Sequence, residues 1–380
     1  MRILHTSDWH LGKRLFKLDR SEEHQKFLDW LLLTLIQKEI DVLLIAGDIF
    51  DTPTPPHQSL ETFYNFLHRI SVETKTQTYI IAGNHDSGLL LEAPGLLLKP
   101  HRVKVWGKLS AEPKDHWVKI EKGAEIVNLC AIPFFRSFEL LPQGEGDALT
   151  ALKKYLQPDA TVMGPKLLML HHLAGSFKAA GSEQVITLTG LESIPSEIFQ
   201  AFDYAALGHI HKPQKASATG YYSGSPLPMR FSEIHPKSVM LVEMNNEKTT
   251  HETLSIPVFR KLEVVKANEA DWREKLLALK ADSELTPMVE VQLQLSAPQT
   301  GLIDEIKSIL EKKGMELLSF LPLYGEVDNT ERKHERIFEL STQDLFKEFY
   351  AAKFPNAPEM PEELKADFTL LLEKVKHETP

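Results

Sequence analysis

The stretch Tyr79-Ile80-Ile81-Ala82 runs without a break into Gly83-Asn84-His85-Asp86. Apolar residues closed by a glycine-led turn read as a short buried strand. After the strand come a neutral oxygen donor, a titratable imidazole and a carboxylate in consecutive positions, which suits a site better than a core. The same arrangement recurs along the chain. Arg2 to Ser7 feeds Asp8-Trp9-His10, and Asp41 to Ala46 ends at Gly47-Asp48. Lys166 to Leu170 ends in His171-His172, and Tyr204 to Leu207 ends at Gly208-His209-Ile210-His211. A fold that gathers these strand ends in one place is the strongest constraint the chain imposes.

The order of elements permits that gathering. Glu22 to Lys38 carries Phe27, Leu28, Leu31, Leu32, Leu35 and Ile36 on one side and reads as an amphipathic helix; Ser59 to Ile70 reads as a second. Strand and helix therefore alternate, with polar residues at the strands' C-terminal ends, where ligands collect in an open α/β sheet. Val103 to Trp106, Trp117 to Ile120 and Glu125 to Ala131 read as strands, the last two joined by a turn at Lys122-Gly123. Asp147 to Leu156 reads as a helix and Ser238 to Met244 as a late strand. The expected class is α/β, a four-layer α/β/β/α sandwich. Past Pro257 the composition shifts, and Phe259 to Leu321 reads β-α-β-α-β, a small α+β unit with its own core. After Tyr324 the chain turns polar. Two amphipathic helices are then expected, one with Leu345, Phe346, Phe349 and Tyr350, the other with Leu364, Phe368, Leu371, Leu372 and Val375. The expected domains are 1–257, 258–325, a linker over 326–340 and a helical segment over 341–380.

Composition sets outer bounds. With 380 residues the chain is too long for one compact core. The single cysteine, Cys130, excludes an intrachain disulfide framework and a cysteine-based zinc site; it lies in an apolar strand, where inert packing is expected. No apolar run is long enough to span a bilayer, and Met1-Arg2-Ile3-Leu4-His5 enters a strand pattern with no signal-peptide architecture. A cytoplasmic protein without membrane contact is expected. The formal net charge of -10 argues against broad nonspecific binding of nucleic acid by the chain alone. Divalent cations in an acidic site would reverse that field locally.

Carboxylate, imidazole and amide oxygen suit Mn²⁺, Mg²⁺, Fe²⁺ or Zn²⁺. Asp8, His10, Asp48, Asn84, His171, His209 and His211 are too many ligands for one ion, and one Asp can bridge two. Two ions about 3.5–4 Å apart would clamp a phosphate in an in-line displacement. In Asp-x-His and His-x-His the two ligands leave an extended strand end on the same side. Each motif alone is weak; the set, each member straight after a strand, is not.

This order resembles the calcineurin-like metallophosphoesterases over the first two-thirds of the chain. Ser7-Asp8-Trp9-His10-Leu11-Gly12-Lys13, Gly47-Asp48-Ile49-Phe50-Asp51, and Gly224-Ser225-Pro226 followed by Phe231-Ser232-Glu233 look like the SbcD family of double-strand-break repair nucleases. The resemblance implies that Asp8, His10, Asp48 and His211 hold one ion and that Asp48, Asn84, His171 and His209 hold the other, usually Mn²⁺. A hydroxide held by the two metals attacks the phosphodiester. His85 stays off the metals as general acid or charge stabiliser, and Asp86 orients it. The α+β unit matches that family's capping domain, and the C-terminal helices match the segment that grips an SbcC-type coiled-coil ATPase. A homodimer within a heterotetramer is implied, together with 3′→5′ exonuclease action on double-stranded DNA and endonuclease action on single strands and hairpins, in repair, replication and recombination. Archaeal and eukaryotic relatives carry a second His where this chain has Asp51, so the role of Asp51 stays open between a supporting hydrogen bond and substrate contact. His172 is expected to pack or to line the rim. Trp9, Lys13 and Arg14, beside the first ligands, and Tyr222, Ser225 and Arg230 are candidate substrate contacts; for Trp9, Lys13 and Arg14 a solvated basic loop is the other reading. His5, His24, His57, His68 and His101 are read as surface or core. Two other functions compete. A small-molecule phosphodiesterase needs neither the capping unit nor the helices, and a non-enzymic scaffold does not need the full ligand set.

Overall fold

The structure, a computed structural model, describes residues 1–16, 18–141, 146–158, 163–179 and 193–324, together with Phe346, Tyr350, Lys365 and Phe368. The expected linker and most of the expected C-terminal helical segment lie outside the described residues. Two compact units are present: Met1–Gln292 with Thr300–Leu321, and Leu293–Gln299 with Pro322–Pro380. In the second unit the rings of Phe346 and Phe368 stack with centroids 3.8 Å apart.

The first unit is built on two six-stranded sheets. In one, β1 (Arg2–Thr6), β2 (Val42–Ala46), β3 (Gln77–Ile81) and β4 (Val103–Trp106) run parallel. β11 (Ser238–Met244) and β12 (Thr249–Ser255) extend this sheet antiparallel beyond β1. The other sheet has the order β5 (Trp117–Lys122), β6 (Glu125–Ile132), β7 (Lys166–His171), β8 (Tyr204–Gly208), β10 (Gly220–Tyr222) and β9 (Gln214–Lys215). Its β6, β7, β8 and β10 are mutually parallel. The β5–β6 hairpin turns where expected, at Gly123, whose φ of 61° suits a residue without Cβ.

Alternation along the strands fixes the layers. Ile3, Val42, Leu44, Ile81, Leu129, Ala131, Leu167, Met169 and Ala206 form one buried cluster, so both sheets contribute to a shared inner face. The alternate residues Leu4, Leu43, Ile45 and Ile80 face outward. They pack under α1 (Ser21–Gln37) and α2 (His57–Glu73) through Phe27, Leu31, Leu35, Phe63 and Leu67. Cys130, Ile132, Leu168, Leu170, Ala205 and Leu207 pack on the other outer face, against Ala148, Leu152 and Leu156 of a later helix. That is the expected α/β/β/α sandwich. The central strands β1, β2, β3, β7 and β8 read as continuous apolar runs because both their faces are covered.

Short helices α3 (Gly88–Glu92) and α4 (Gly95–Leu98) connect β3 to β4; the apolar pattern of the sequence does not announce them. α5 (Ser137–Leu140) and α6 (Ala148–Leu156) lie between β6 and β7. The third sheet has the order β13 (Arg260–Asn268), β14 (Leu285–Leu295), β15 (Glu316–Tyr324), with α7 (Trp272–Ala278) and α8 (Leu302–Lys312) between the strands. This is the β-α-β-α-β order read from the sequence. No described helix is long and apolar enough to cross a membrane.

Candidate metal centre

The parallel strands place their C-terminal ends on one edge, and the donors meet there. Asp8, His10 and His211 offer ligand atoms within 4.8 Å of one another, as do Asp48, His171 and His209, and as do His10, Asp51 and His85. Asp48 lies between the first two groups, with Oδ2 3.6 Å from His10 Nε2 and 3.4 Å from His171 Nε2. Asn84 Oδ1 lies 2.8 Å from His209 Nδ1 and 3.2 Å from His171 Nε2. All seven residues named as metal ligands from the sequence are therefore brought together.

The backbone bends sharply to do this. Asp8, His10, Asp48 and His209 have φ of 54°, 48°, 50° and 92°. Non-glycine residues seldom adopt this left-handed region, and Asp, Asn and His tolerate it best. The sheets also approach closely: a Cβ on Gly208 would sit 1.9 Å from the Ala46 carbonyl oxygen and 2.6 Å from His171 Nδ1. Glycine is required there so that β8 can pass β2.

The orientation of the imidazoles is set from behind. His171 Nδ1–H donates to the Ala46 carbonyl at 2.7 Å, which turns Nε2 toward Asp48 and Asn84. His10 Nδ1 faces Asp51 Oδ1 at 3.5 Å, and Lys13 Nζ holds the same oxygen at 3.0 Å. His211 Nδ1 faces Glu233 Oε1 at 3.6 Å, and Lys237 Nζ holds Oε2 at 2.6 Å. The front nitrogens of His10 and His211 then meet Nε2 to Nε2 at 3.2 Å. At that distance one of the two nitrogens carries a proton, or a cation sits beside both. The donor set fits divalent cations.

Electrostatics agree with a buried, cation-seeking cluster. Burial pushes the Asp48 carboxyl up, but the charge and hydrogen bond of His171, then His10 and His85, outweigh it and hold it well below the usual range. Burial lowers His171, yet Asp48 overcomes this and raises the imidazole to about 9. For His10 burial wins and the imidazole is held below its ordinary value. Burial also raises Glu233, but His211 and Lys237 bring its carboxyl far below the ordinary range.

Several expectations are corrected. Asp86 does not orient His85: its carboxylate accepts from the backbone N–H of Gly83 (2.8 Å), Phe50 (2.9 Å) and Ile49 (3.1 Å), which ties the β3 loop to the β2 loop. His85 is instead held by the Asp51 carbonyl, 2.8 Å from Nδ1, and by its own N–H on Asp48 Oδ1 at 2.9 Å. Trp9 is not at the surface. It is fully buried, donates from Nε1 to Thr6 Oγ1, and meets Phe27, Phe63 and Phe66 edge-on. Tyr222 is buried, with its hydroxyl 2.8 Å from the Ala174 N–H and 3.0 Å from the His172 carbonyl. Ser225 is buried, accepting from Lys237 and donating to the Leu227 carbonyl. None of these three is placed to touch a substrate. Arg14 and Arg230 are exposed, whereas Lys13 is engaged by Asp51. His172 packs, its ring against Phe134 and Phe135. His5 and His24 belong to the core, one of the two places expected for them.

Sequence reasoning missed the supporting layer. Ser7 Oγ donates to Asp8 Oδ2 and lies 2.8 Å from Ser223 Oγ, and the His209 N–H donates to Asp8 Oδ1. Glu233 and Lys237 follow no apolar strand, so the pattern that found the donors could not assign them a place; the available signal was the Phe231-Ser232-Glu233 stretch of the family resemblance.

A family model described as calcineurin-like phosphoesterase matches residues 1–213. A second, described as type 5 capsule protein repressor C-terminal domain, matches residues 258–354. The chain is 29% identical over 370 residues to the SbcD subunit of nuclease SbcCD from Escherichia coli, covering 91% of this chain and 92% of that protein. It is 34% identical over 258 residues to the Rhodobacter capsulatus protein of the same name, covering 62% and 64%. For the Bacillus subtilis protein the figures are 29% over 373 residues, covering 92% of each. With its donors converged on the strand ends, the chain belongs to the calcineurin-like phosphoesterases and is a metal-dependent phosphodiester hydrolase similar to the SbcD subunits.

Proposed function

We propose that this protein is a DNA nuclease holding two divalent ions, most favourably Mn²⁺, and that it acts with an SbcC-type ATPase. The observation that carries the reading is the convergence of Asp8, His10 and His211 on one side of Asp48 and of Asn84, His171 and His209 on the other. The bound ions would supply charge stabilisation on the phosphoryl oxygens and an activated water-derived nucleophile. The chain's own contribution is orientation and proton transfer. Asp48 would be shared between the ions. His85, with Nδ1 fixed on the Asp51 carbonyl, leaves Nε2 to carry a proton to the leaving oxygen. Asp86 would act one step back, by fixing the two loops that carry Asp48 and His85. Of the candidate substrate contacts, the exposed Arg14 and Arg230 and the half-exposed Lys13 remain suited to DNA phosphates.

The further assignments follow the same family reading: residues 1–257 as nuclease domain, 258–325 as capping domain, 341–380 as the ATPase-binding segment, a homodimer within a heterotetramer, and a cytoplasmic site of action. Cleavage of end-labelled duplex DNA and of hairpins in Mn²⁺, with and without the ATPase and ATP, tests the reading. Metal analysis of the same preparation should return two ions per chain. Turnover of cyclic nucleotides with DNA untouched would replace it by a small-molecule phosphodiesterase. Deleting the residues after Ser341 should abolish binding of the ATPase and leave Mn²⁺-dependent cleavage of small model diesters.

A further inference from the structure

The ligand His211 leaves strand β8 in a short loop and has no strand of its own to fix its ring. Two features of the chain near residue 233 supply what the strand does not. Glu233 is 3% exposed, a costly place for a carboxylate unless it is compensated. Its Oε2 accepts from Lys237 Nζ at 2.6 Å and from the Met229 N–H at 3.1 Å. Its Oε1 lies 3.6 Å from His211 Nδ1, the nitrogen opposite the one that faces His10. Lys237 is fixed in turn by Ser225 Oγ at 2.9 Å, and His235 Nε2 lies 3.2 Å from the His211 carbonyl oxygen. The ring and the backbone of His211 are thus both addressed from one buried loop.

We propose that Glu233, held by Lys237, is a positioning residue for the metal centre. It keeps the proton of His211 on Nδ1, so that Nε2 presents its lone pair to the ion shared with Asp8 and His10. A ligand imidazole whose far N–H meets a carboxylate is a stronger and better oriented donor, and losing such a partner typically weakens metal binding about 10–100-fold. Glu233 is not a catalytic residue, since it touches only the back of a ligand. The same loop is anchored outward: Arg20 donates to the Pro228 carbonyl and pairs with Glu23, and Glu23 Oε1 accepts from Arg260 Nε of β13 at 3.0 Å. The setting of His211 is therefore tied to the first strand of the three-stranded sheet.

The inference rests on the metal-centre reading, and one pair of measurements separates the two. Nitrogen-15 histidine spectra of the metal-free protein report the tautomer of His211; a Mn²⁺ titration followed by electron paramagnetic resonance reports the occupancy of each site. In Glu233→Gln the Lys237 contact survives through the amide oxygen while the charge facing His211 is gone. The expected result is loss of the Nδ1–H tautomer at His211 and about 10–100-fold weaker binding of one Mn²⁺, with the other bound as in the parent. An unchanged tautomer, two ions bound as tightly as before, or equal weakening of both ions would each overturn it. Should Glu233→Gln not fold, Glu233→Asp, which keeps the charge and withdraws it from His211, is read by the same criteria. A parent protein that binds no Mn²⁺ would instead sink the metal-centre reading, leaving the tautomer measurement to decide the role of Glu233.

Discussion

At the scale of single residues, neighbours in sequence take opposite jobs. Asp8 and His10 point into the centre, and Trp9 between them points into the helical layer under α1 and α2. The expected alternation of an extended strand end does not make that split: Asp8 and His10 lie past β1 in left-handed turns, and those turns aim them at the centre while Trp9 goes to the core. In Asn84-His85-Asp86 the convergence of Asn84 with His171 and His209 was legible from its place after a strand. The role of Asp86 was not, because its partners Ile49 and Phe50 belong to another strand end. The two residues after Asn84 should therefore fail differently. His85→Ala should keep both ions and the fold and lose roughly 10²–10⁴-fold in turnover; loss of the metals in elemental analysis would make His85 a ligand. Asp86→Ala strands three backbone N–H groups and should cost about 3 kcal/mol in urea unfolding, with metal affinity falling as the loops part.

At the scale of elements, the apolar runs gave β1 to β8 and β11, whereas the short β9 and β10 and the mostly exposed β12 carry no such run and do not read as strands. Pairing across the two sheets was not legible, since an inner-face residue and an outer-face residue look alike in an unbroken apolar run. Gly208 marks that hidden contact. Gly208→Ala should push β8 from β2 at the Ala46 carbonyl and displace His171, so that Mn²⁺ affinity falls at least tenfold in calorimetric titration while far-ultraviolet dichroism is little changed. Helix α1 carries a titration of its own. His24 is buried, with Nε2 3.0 Å from the Trp9 carbonyl oxygen, and burial, then the Arg20 charge, lower its imidazole from 6.5 to about 4. A lowered imidazole means that the unfolded chain binds the proton first. Its contribution to stability is intact above pH 6.5 and drains as pH falls toward about 4. The slope is about 1.4 kcal/mol per pH unit. Urea unfolding between pH 7 and 5, with chelator present, should show a shallower slope in His24→Gln than in the parent.

At the scale of the whole molecule, folding and metal binding draw on the same groups. Buried carboxylates and imidazoles crowd the edge where the two sheets end, and cations that bind only the folded chain stabilise it by mass action. Raising free Mn²⁺ to about a hundred times its dissociation constant should add about 2.7 kcal/mol for each ion bound, read as a higher thermal midpoint that chelator reverses. A midpoint indifferent to Mn²⁺ would mean that the donors are satisfied among themselves. The third sheet was legible as a separate β-α-β-α-β pattern, yet its first strand is joined to α1 by Arg260 and Glu23, a long-range pair of charges that no local pattern announces.

The left-handed backbone at Asp8, His10, Asp48 and His209 has a bearing on how such a chain can change over generations. Aspartate, asparagine and histidine are among the few residues with side chains that accept that geometry, and they are also hard or borderline metal donors. Glutamate, the obvious chemical substitute for aspartate, is not favoured there. Under the proposed metal centre, each of these positions is written in an alphabet restricted twice over, once by the turn and once by the ion. A lineage that exchanges its preferred metal has to do so with the same few letters, and its freedom lies in the residues standing behind them.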